Sequence, residues 1–408
     1  MRIAAFTDTF YPKIDGIVTS ILGTIRQCRH NDIHWSVFAP DYKKLDNTIS
    51  LPNTTIHRYF SVSLHTYKDV KISLPNLWKI LSDVRSFKPD VIHIHTPGTL
   101  GLMGILAGKM LDIPILGTYH TIVAEQAMYL LPYLKKTEGA TNTIPTLTFS
   151  TFRKGSGTIA KASLWRFSCW MYNRCDAVIA STKSIQSELV KHGLKKDIHV
   201  LSVGIDAEHF KKKGRYEGGQ ARFLYVGRLG YEKNIHILIE AFCLVADKLP
   251  ASTLTIIGEG PAERDLKTLA RKKNGRSRVH FLKAMPREHL QETYAKYDIF
   301  VTASTMETLG LTILEAMSSG LPVIGADSYA IPDIVRNGQN GFLVKSSDID
   351  EFSQQMLTLG NDWHLRERLG RQAILTAEKH DVKKIAKQLS VIYHQLLRVN
   401  THDEQKLK

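Results

Sequence analysis

Residues 298–324 read DIFVTASTMETLGLTILEAMSSGLPVI. The first six, Asp298 to Ala303, are short, apolar and rich in β-branched side chains, as a buried strand requires. Gly310 interrupts the pattern. Leu311-Thr312-Ile313-Leu314 then opens a helix, which Gly320 and Pro322 stop before a further strand. The order is strand, loop, helix, the unit of an α/β fold. Glu307 falls in the loop at the carboxyl end of the strand. Glu315 falls on the helix, about two turns further on. Ligands of α/β sheets bind in the crevice outside the carboxyl ends of the strands. The amides of Thr308, Leu309, Gly310 and Leu311, at a helix N-terminus, suit an anion or a hydroxyl-rich ligand. Carboxylates at such a place accept paired hydrogen bonds from the vicinal hydroxyls of a ribose or a hexose. A capping acid plus a solvated helix acid is the plainer reading of the same two residues.

A second stretch, Gly227-Arg228-Leu229-Gly230-Tyr231-Glu232-Lys233-Asn234, follows an apolar strand at Arg222 to Val226 and precedes a helix. Arg228 and Lys233 stand five apart across that loop. Both reach a diphosphate resting on the helix N-terminus, Arg as a fork and Lys as a point charge. Surface charge is the competing reading.

Together these stretches resemble the retaining nucleotide-sugar glycosyltransferases of glycosyltransferase family 4. Glu307-x7-Glu315 with the following A-M-x-x-G-x-P-V-I matches that family's signature. Residues 227–234 match its G-R-[LF]-x-x-x-K-[NG] clamp, and Gly258-Glu259-Gly260-Pro261 its G-x-G-P loop. The resemblance covers about residues 1–395. It implies the GT-B architecture, two Rossmann-like domains with a cleft between them. An acceptor-binding domain spans 1–204 and takes back a crossing helix at about 381–398. A donor-binding domain spans 205–380, and 399–408 is a polar tail. The resemblance implies that Glu307 binds the transferred sugar, Glu315 the ribose, and Arg228 and Lys233 the diphosphate. The base lies against the backbone near Lys283 and Ala284. Gly16 opens a helix in a segment similar to the family's P-x-x-G-G loop, with Asp15 in place of the first glycine. Gly16 is thereby expected on the phosphate side and Asp15 near the acceptor. His120, at the tip of the strand Ile113 to Thr118, is expected to orient the donor sugar. The catalytic set is therefore His120, Glu307, Arg228 and Lys233.

Composition narrows the remaining choices. The chain has 408 residues, 43% hydrophobic and 23% charged, an ordinary globular balance long enough for two cores. No apolar run approaches the roughly 20 residues that span a bilayer, and the N-terminus goes straight into a strand without a leader pattern. The four cysteines are scattered, which reads as reduced thiols and no zinc site. His93 and His95 share a strand face, but no third ligand stands at a suitable spacing, so no metal is expected. Net charge is +15, and residues 1–200 hold 24 Lys and Arg against 14 Asp and Glu. That surplus suggests an anionic partner. The basic helix after Pro261 lacks interleaved aromatics and reads as a solvated face, not a nucleic-acid surface.

In the 122–175 region, Met128 and Tyr129 stand near Lys135 and Lys136, and Arg153 and Lys154 follow. Basic residues beside aromatics on helix-length segments suit an interfacial membrane helix. Leu164 to Tyr172 reads more readily as a core helix leading into the strand Ala177 to Ala180. With T-Y-H-T at 118–121, these features look most like the diacylglycerol glycosyltransferases. The expected reaction moves a hexose from UDP-glucose to 1,2-diacylglycerol, without cofactor or metal. It takes place on an anionic membrane surface at the cytoplasmic face. GDP-mannose with a soluble or phosphorylated acceptor is one alternative, and a nucleotide-sugar epimerase of the same architecture is another.

Overall fold

The computed structural model describes residues 1–13, 15–28, 32–42, 48–64, 67–122, 156–218, 221–273 and 278–406. The chain forms two compact units, Met1–Gly204 with Val382–Lys408, and Ile205–Asp381.

The first unit is built on β1 (Arg2–Phe6), α1 (Gly16–Gln27), β2 (His34–Pro40), β3 (Thr54–Tyr59), β4 (Ser61–Leu64), β5 (Tyr67–Ser73), α2 (Leu77–Phe87), β6 (Val91–Ile94), α3 (Thr99–Leu111), β7 (Ile115–Tyr119), α4 (Ser156–Tyr172), β8 (Ala177–Ala180), α5 (Lys183–Lys191) and β9 (Asp197–Val200). Seven strands make one parallel sheet in the order β3-β2-β1-β6-β7-β8-β9. Its central strands β1, β6, β7 and β8 are almost entirely buried, as parallel strands covered on both faces are. The order reverses between β1 and β6, so the loops after those strands diverge there. In α1, Val18, Ile21 and Ile25 fall on one face and are buried.

The second unit runs β10 (Arg222–Val226), α6 (Ile235–Val245), β11 (Thr253–Ile257), α7 (Glu263–Lys272), β12 (Val279–Leu282), α8 (Arg287–Thr293), β13 (Ile299–Thr302), α9 (Leu311–Ser318), β14 (Val323–Ala326), α10 (Ile331–Ile334), β15 (Gly341–Val344), α11 (Ile349–Asn361) and α12 (Trp363–Ala377). Its six parallel strands take the order β12-β11-β10-β13-β14-β15. That is the dinucleotide-binding order, third-second-first-fourth-fifth-sixth, with the switch point between β10 and β13.

The last helix, α13 (Val382–Lys406), belongs to the first unit. Ile385, Leu389, Ile392, Tyr393 and Leu396 are buried in the same core as Ile21, Ile25 and Trp35. The helix runs past Arg398, the end expected from sequence, to Lys406. No glycine or proline follows Arg398 to stop it.

Residues 40–73 carry no assignment from sequence, yet they form β3 and the antiparallel hairpin β4–β5. In that hairpin Val62 pairs with Ile72, and the Leu74 N–H donates to the Phe60 carbonyl. Ser61 and Ser73 turn inward and are buried. Alternation therefore turns Phe60, Val62, Ile72 and Leu74 outward. All four are exposed, and Trp78 at the start of α2 is 72% exposed. In α4 the sequence left two readings open. There Trp165, Met171 and Tyr172 are core, whereas Phe167 and Trp170 are each 43% exposed. The segment with Met128, Tyr129, Lys135, Lys136, Arg153 and Lys154 lies outside the described residues. Among the described residues no helix is long and apolar enough to cross a membrane.

Candidate active site

In the second unit, the loops after β10 and β13 meet at the switch point of the sheet. The Lys233 ammonium lies 2.6 Å from Glu307 Oε1 and 3.4 Å from Ser304 Oγ. Each of the paired side chains is about one-fifth exposed. Burial works against the charged form of Glu307, but the Lys233 ammonium and the Ser304 hydroxyl outweigh it. Its carboxyl is held below the ordinary glutamate range. Asn234, the next residue, has φ +49°, a left-handed conformation that Asn tolerates better than most side chains. Its amide donates to the Ala303 carbonyl at 3.3 Å and to the Thr305 hydroxyl at 3.2 Å. The β10 loop is thereby tied to the β13 loop by side chain as well as by charge. Gly310 opens α9 at φ +71°, where a Cβ would be strained.

Arg228 donates to Glu232 Oε1 at 2.8 Å. Its side chain is about half exposed, while Glu232 is buried. The glycine-rich loop after β11 buttresses this segment through backbone. The Leu229 N–H donates to the Glu259 carbonyl, and the Leu229 carbonyl accepts from the Ala262 N–H, each at 2.9 Å.

Glu315 is buried on α9 and makes a different set of contacts. One oxygen accepts from the Tyr294 hydroxyl at 2.9 Å. The other lies 3.8 Å from the Arg287 guanidinium. Burial raises the Glu315 carboxyl above its ordinary range, and Arg287 and Tyr294 offset only part of that. Lys283 and Ala284 follow β12 and are exposed. Thr308 and Leu309 lead into Gly310 and the first residue of α9, Leu311.

In the first unit, the switch point between β1 and β6 carries Asp8, Asp15, His95 and, one strand further on, His120. Asp8 closes the N-terminus of α3. It accepts from the Leu100 N–H at 2.9 Å and from the Thr96 hydroxyl at 2.6 Å. Asp15 caps α1, accepting from the Val18 N–H at 2.9 Å and the Thr9 hydroxyl at 2.7 Å. Lys13 pairs with the same carboxylate at 3.2 Å. Gly16 is the first residue of that helix, with Asp15 holding one of its amides. His120 Nε2 lies 3.1 Å from His95 Nδ1. His93, packed against His95 with ring centroids 4.0 Å apart, contacts the Tyr393 hydroxyl and the Thr118 hydroxyl, each at 2.7 Å. Burial pushes His93 down to about 3 and His120 to about 4, and lowers His95 as well, so all three rings are neutral at pH 7.

Among the described residues no cluster of three His, Cys, Asp or Glu could hold a metal ion. The four cysteines are free thiols. Sequence reasoning assigned no role to Glu232, Arg287, Tyr294, His95 or Asp8. His95 had a signal in the strand face it shares with His93, and Glu232 one in its four-residue spacing from Arg228.

The sequence pattern of the glycosyl transferases group 1 matches residues 206–376, and that of glycosyltransferase family 4 matches residues 14–209. The chain belongs to the group 1, family 4 glycosyltransferases. It is 32% identical to the sulfoquinovosyl transferase SQD2 of Arabidopsis thaliana over 77% of this chain, and the match spans 58% of that relative's length. It is 26% identical to the alpha-monoglucosyldiacylglycerol synthase of Streptococcus pneumoniae, over 84% of this chain and 75% of the relative. The Anabaena protein Alr3699/HepE, solved with UDP and glucose, superposes with a TM-score of 0.73 at 18% identity, covering 97% of this chain and all of that one. The fold of this family 4 chain is thus GT-B, with a Rossmann-like sheet in each unit.

Proposed function

We propose that the chain is a retaining hexosyltransferase that moves glucose from UDP-glucose to 1,2-diacylglycerol at the cytoplasmic face of a membrane. The observation that carries the transferase reading is the Lys233–Glu307 pair of 2.6 Å at the switch point of the second sheet. A cation suited to a diphosphate and a carboxylate suited to sugar hydroxyls there share one position.

In this reading Glu307 accepts hydrogen bonds from the transferred hexose and Glu315 from the ribose. Lys233 and Arg228 take the diphosphate, and the backbone at Lys283 and Ala284 faces the base. His120 orients the hexose, and Gly16 and Asp15 lie on the side of the phosphate and the acceptor. The bond between the anomeric carbon and the diphosphate oxygen breaks. The acceptor oxygen bonds to that carbon on the same face, and its proton passes to the departing phosphate. Lys233 and Arg228 balance the charge that develops there, which is electrostatic catalysis. The side chains named here supply binding and charge, and the leaving group supplies the base.

The lipid acceptor is supported by the likeness to the alpha-monoglucosyldiacylglycerol synthase, by the exposed hairpin face of Phe60, Val62, Ile72 and Leu74, and by the exposed Trp78 that follows in sequence. Each basic residue near an anionic surface adds about 1 kcal/mol, and the chain carries a surplus of 15.

The test is a transfer assay with labelled UDP-glucose and labelled GDP-mannose, on anionic vesicles containing diacylglycerol and on a soluble sugar acceptor. Label from UDP-glucose entering the lipid phase is the expected result. Label from GDP-mannose, or only in the soluble acceptor, replaces the donor or the acceptor. Donor consumed with no acceptor labelled replaces transfer with epimerisation or hydrolysis.

A further inference from the structure

We propose that His95 is a positioning residue that fixes the imidazole of His120 as the tautomer protonated on Nδ1, with Nε2 held as an acceptor by His95. The proposal deepens the reading above and rests on it for what His120 touches.

His95 directly follows β6, and its Nδ1 faces His120 Nε2 at 3.1 Å. The rings are inclined by only 18°. A contact of that length between two ring nitrogens holds one proton. With both rings neutral, two arrangements remain. If His120 Nε2 carries the proton, His95 Nδ1 must accept it, and His95 then carries its own proton on Nε2. That atom is buried and has no hydrogen-bond partner among the described residues. The arrangement therefore buries an N–H with nothing to donate to, and orphaned buried N–H groups are rare in folded proteins. If His95 Nδ1 carries the proton, it donates to His120 Nε2, and the buried His95 Nε2 is a bare lone pair. The one proton of a neutral His120 is then on Nδ1.

The surroundings keep His95 in place for this. His93 packs against it with centroids 4.0 Å apart and the rings tilted by 34°. His93 is itself clamped at both nitrogens, by the Tyr393 hydroxyl from α13 and by the Thr118 hydroxyl from β7. Burial lowers the basicity of all three rings, which keeps the proton count at one per ring. The tautomer of a functional histidine is set by the bond its other nitrogen makes, and here that bond is to His95.

The experiment is long-range proton–nitrogen NMR on the full chain labelled with ¹⁵N-histidine, with His120 assigned from a His120→Asn sample. The expected spectrum has His120 Nε2 among unprotonated nitrogens and Nδ1 among protonated ones. In His95→Asn, the side-chain amide stands where Nδ1 was, so the pattern and the turnover are retained. In His95→Leu, the Nε2-protonated form appears and kcat falls about tenfold, with donor KM changing less. A wild-type His120 protonated on Nε2 overturns the proposal, as does an unchanged His120 spectrum in His95→Leu. Should His95→Leu not fold, the wild-type spectrum alone decides. A spectrum as expected, with full transfer activity in a His120 variant, would leave this proposal standing and remove the role given to His120.

Discussion

Lys233 Nζ and Glu307 Oε1 are 2.6 Å apart, joining the loop after the first strand of the second sheet to the loop after its fourth. The pair satisfies a partly buried carboxylate in the free protein. A ligand that takes the ammonium with its phosphates and the carboxylate with its hydroxyls replaces one set of partners by another. The site is thus charged, paired and held in place before a donor arrives.

Replacing Glu307 by Gln keeps the size of the side chain and removes its charge. Transfer is expected to fall by about 10²–10³, the usual cost of one electrostatic contact to a transition state. UDP binding should change by less than about threefold, because UDP lacks the sugar. Steady-state transfer beside calorimetric UDP titration measures both. Full activity in Glu307→Gln would remove the carboxylate from the reaction.

Lys233→Met gives a pH-dependent result. In the wild type the Glu307 carboxyl is held below its ordinary range. A lowered carboxyl contributes stability that is present above the unfolded value and lost as pH falls through the folded value. Without Lys233 only the Ser304 hydroxyl opposes the effect of burial, so the carboxyl rises and the charged form loses most of its stabilisation. The variant is therefore expected to be less stable at neutral pH, by up to about 3 kcal/mol. The gap closes as pH falls into and below the glutamate range. Thermal unfolding of both proteins from pH 7 to pH 4 tests this, and a gap that stays constant would contradict it.

Tyr294→Phe removes the hydroxyl that fixes one oxygen of Glu315. That carboxyl is already raised by burial, and losing a hydrogen bond raises it further. UDP affinity is expected to weaken about tenfold, the equivalent of about 1.4 kcal/mol. The phenyl ring keeps its packing against Phe210 and Phe300, so the fold should hold. An unchanged UDP dissociation constant in a folded variant would separate Glu315 from the ribose.

These two carboxylates differ in how far the sequence exposed them. Glu307, Lys233 and Arg228 lie in short motifs whose strand–loop–helix order alone puts them at one end of a sheet. The switch point adds only that β10 neighbours β13. The partners of Glu315 are another matter, because Tyr294 lies 21 residues away on a helix with no distinguishing pattern. His95 and His120 are 25 apart, and they meet only because β6 and β7 are adjacent. The hairpin at 61–73 was missed for a physical reason. Its Ser61-Val62-Ser63-Leu64 alternation is a strand pattern, but it faces Val62 outward and buries the serine before it, opposite to what alternation on a core predicts.

Gly258, at φ +150°, packs where a Cβ would overlap the carbonyl oxygen of Gly227. Neither atom can move cheaply, since both belong to loops that end adjacent strands. Gly258→Ala is expected to destabilise the second unit by about 3 kcal/mol or more. It should also displace the loop that carries Arg228, so UDP binding should fall with stability. A variant with wild-type unfolding and UDP affinity would show that the two loops are not mechanically joined.

The exposed hairpin face sets the last expectation. Leu74 and Trp78 are 58% and 72% exposed, and inserting them into the headgroup boundary removes apolar surface from water at about 25 cal/mol per Å². Leu74→Ser with Trp78→Ser should therefore lower partition onto anionic diacylglycerol vesicles by at least about tenfold. Neither residue lies near the Lys233–Glu307 pair in sequence or shares its unit. Transfer to a short-chain diacylglycerol dispersed in water is expected to continue at the wild-type rate. Vesicle co-sedimentation and the soluble assay, run on the same preparation, separate docking from chemistry. Equal partition of variant and wild type would move the docking surface elsewhere. Loss of both partition and soluble transfer would mean that the hairpin supports the acceptor site itself.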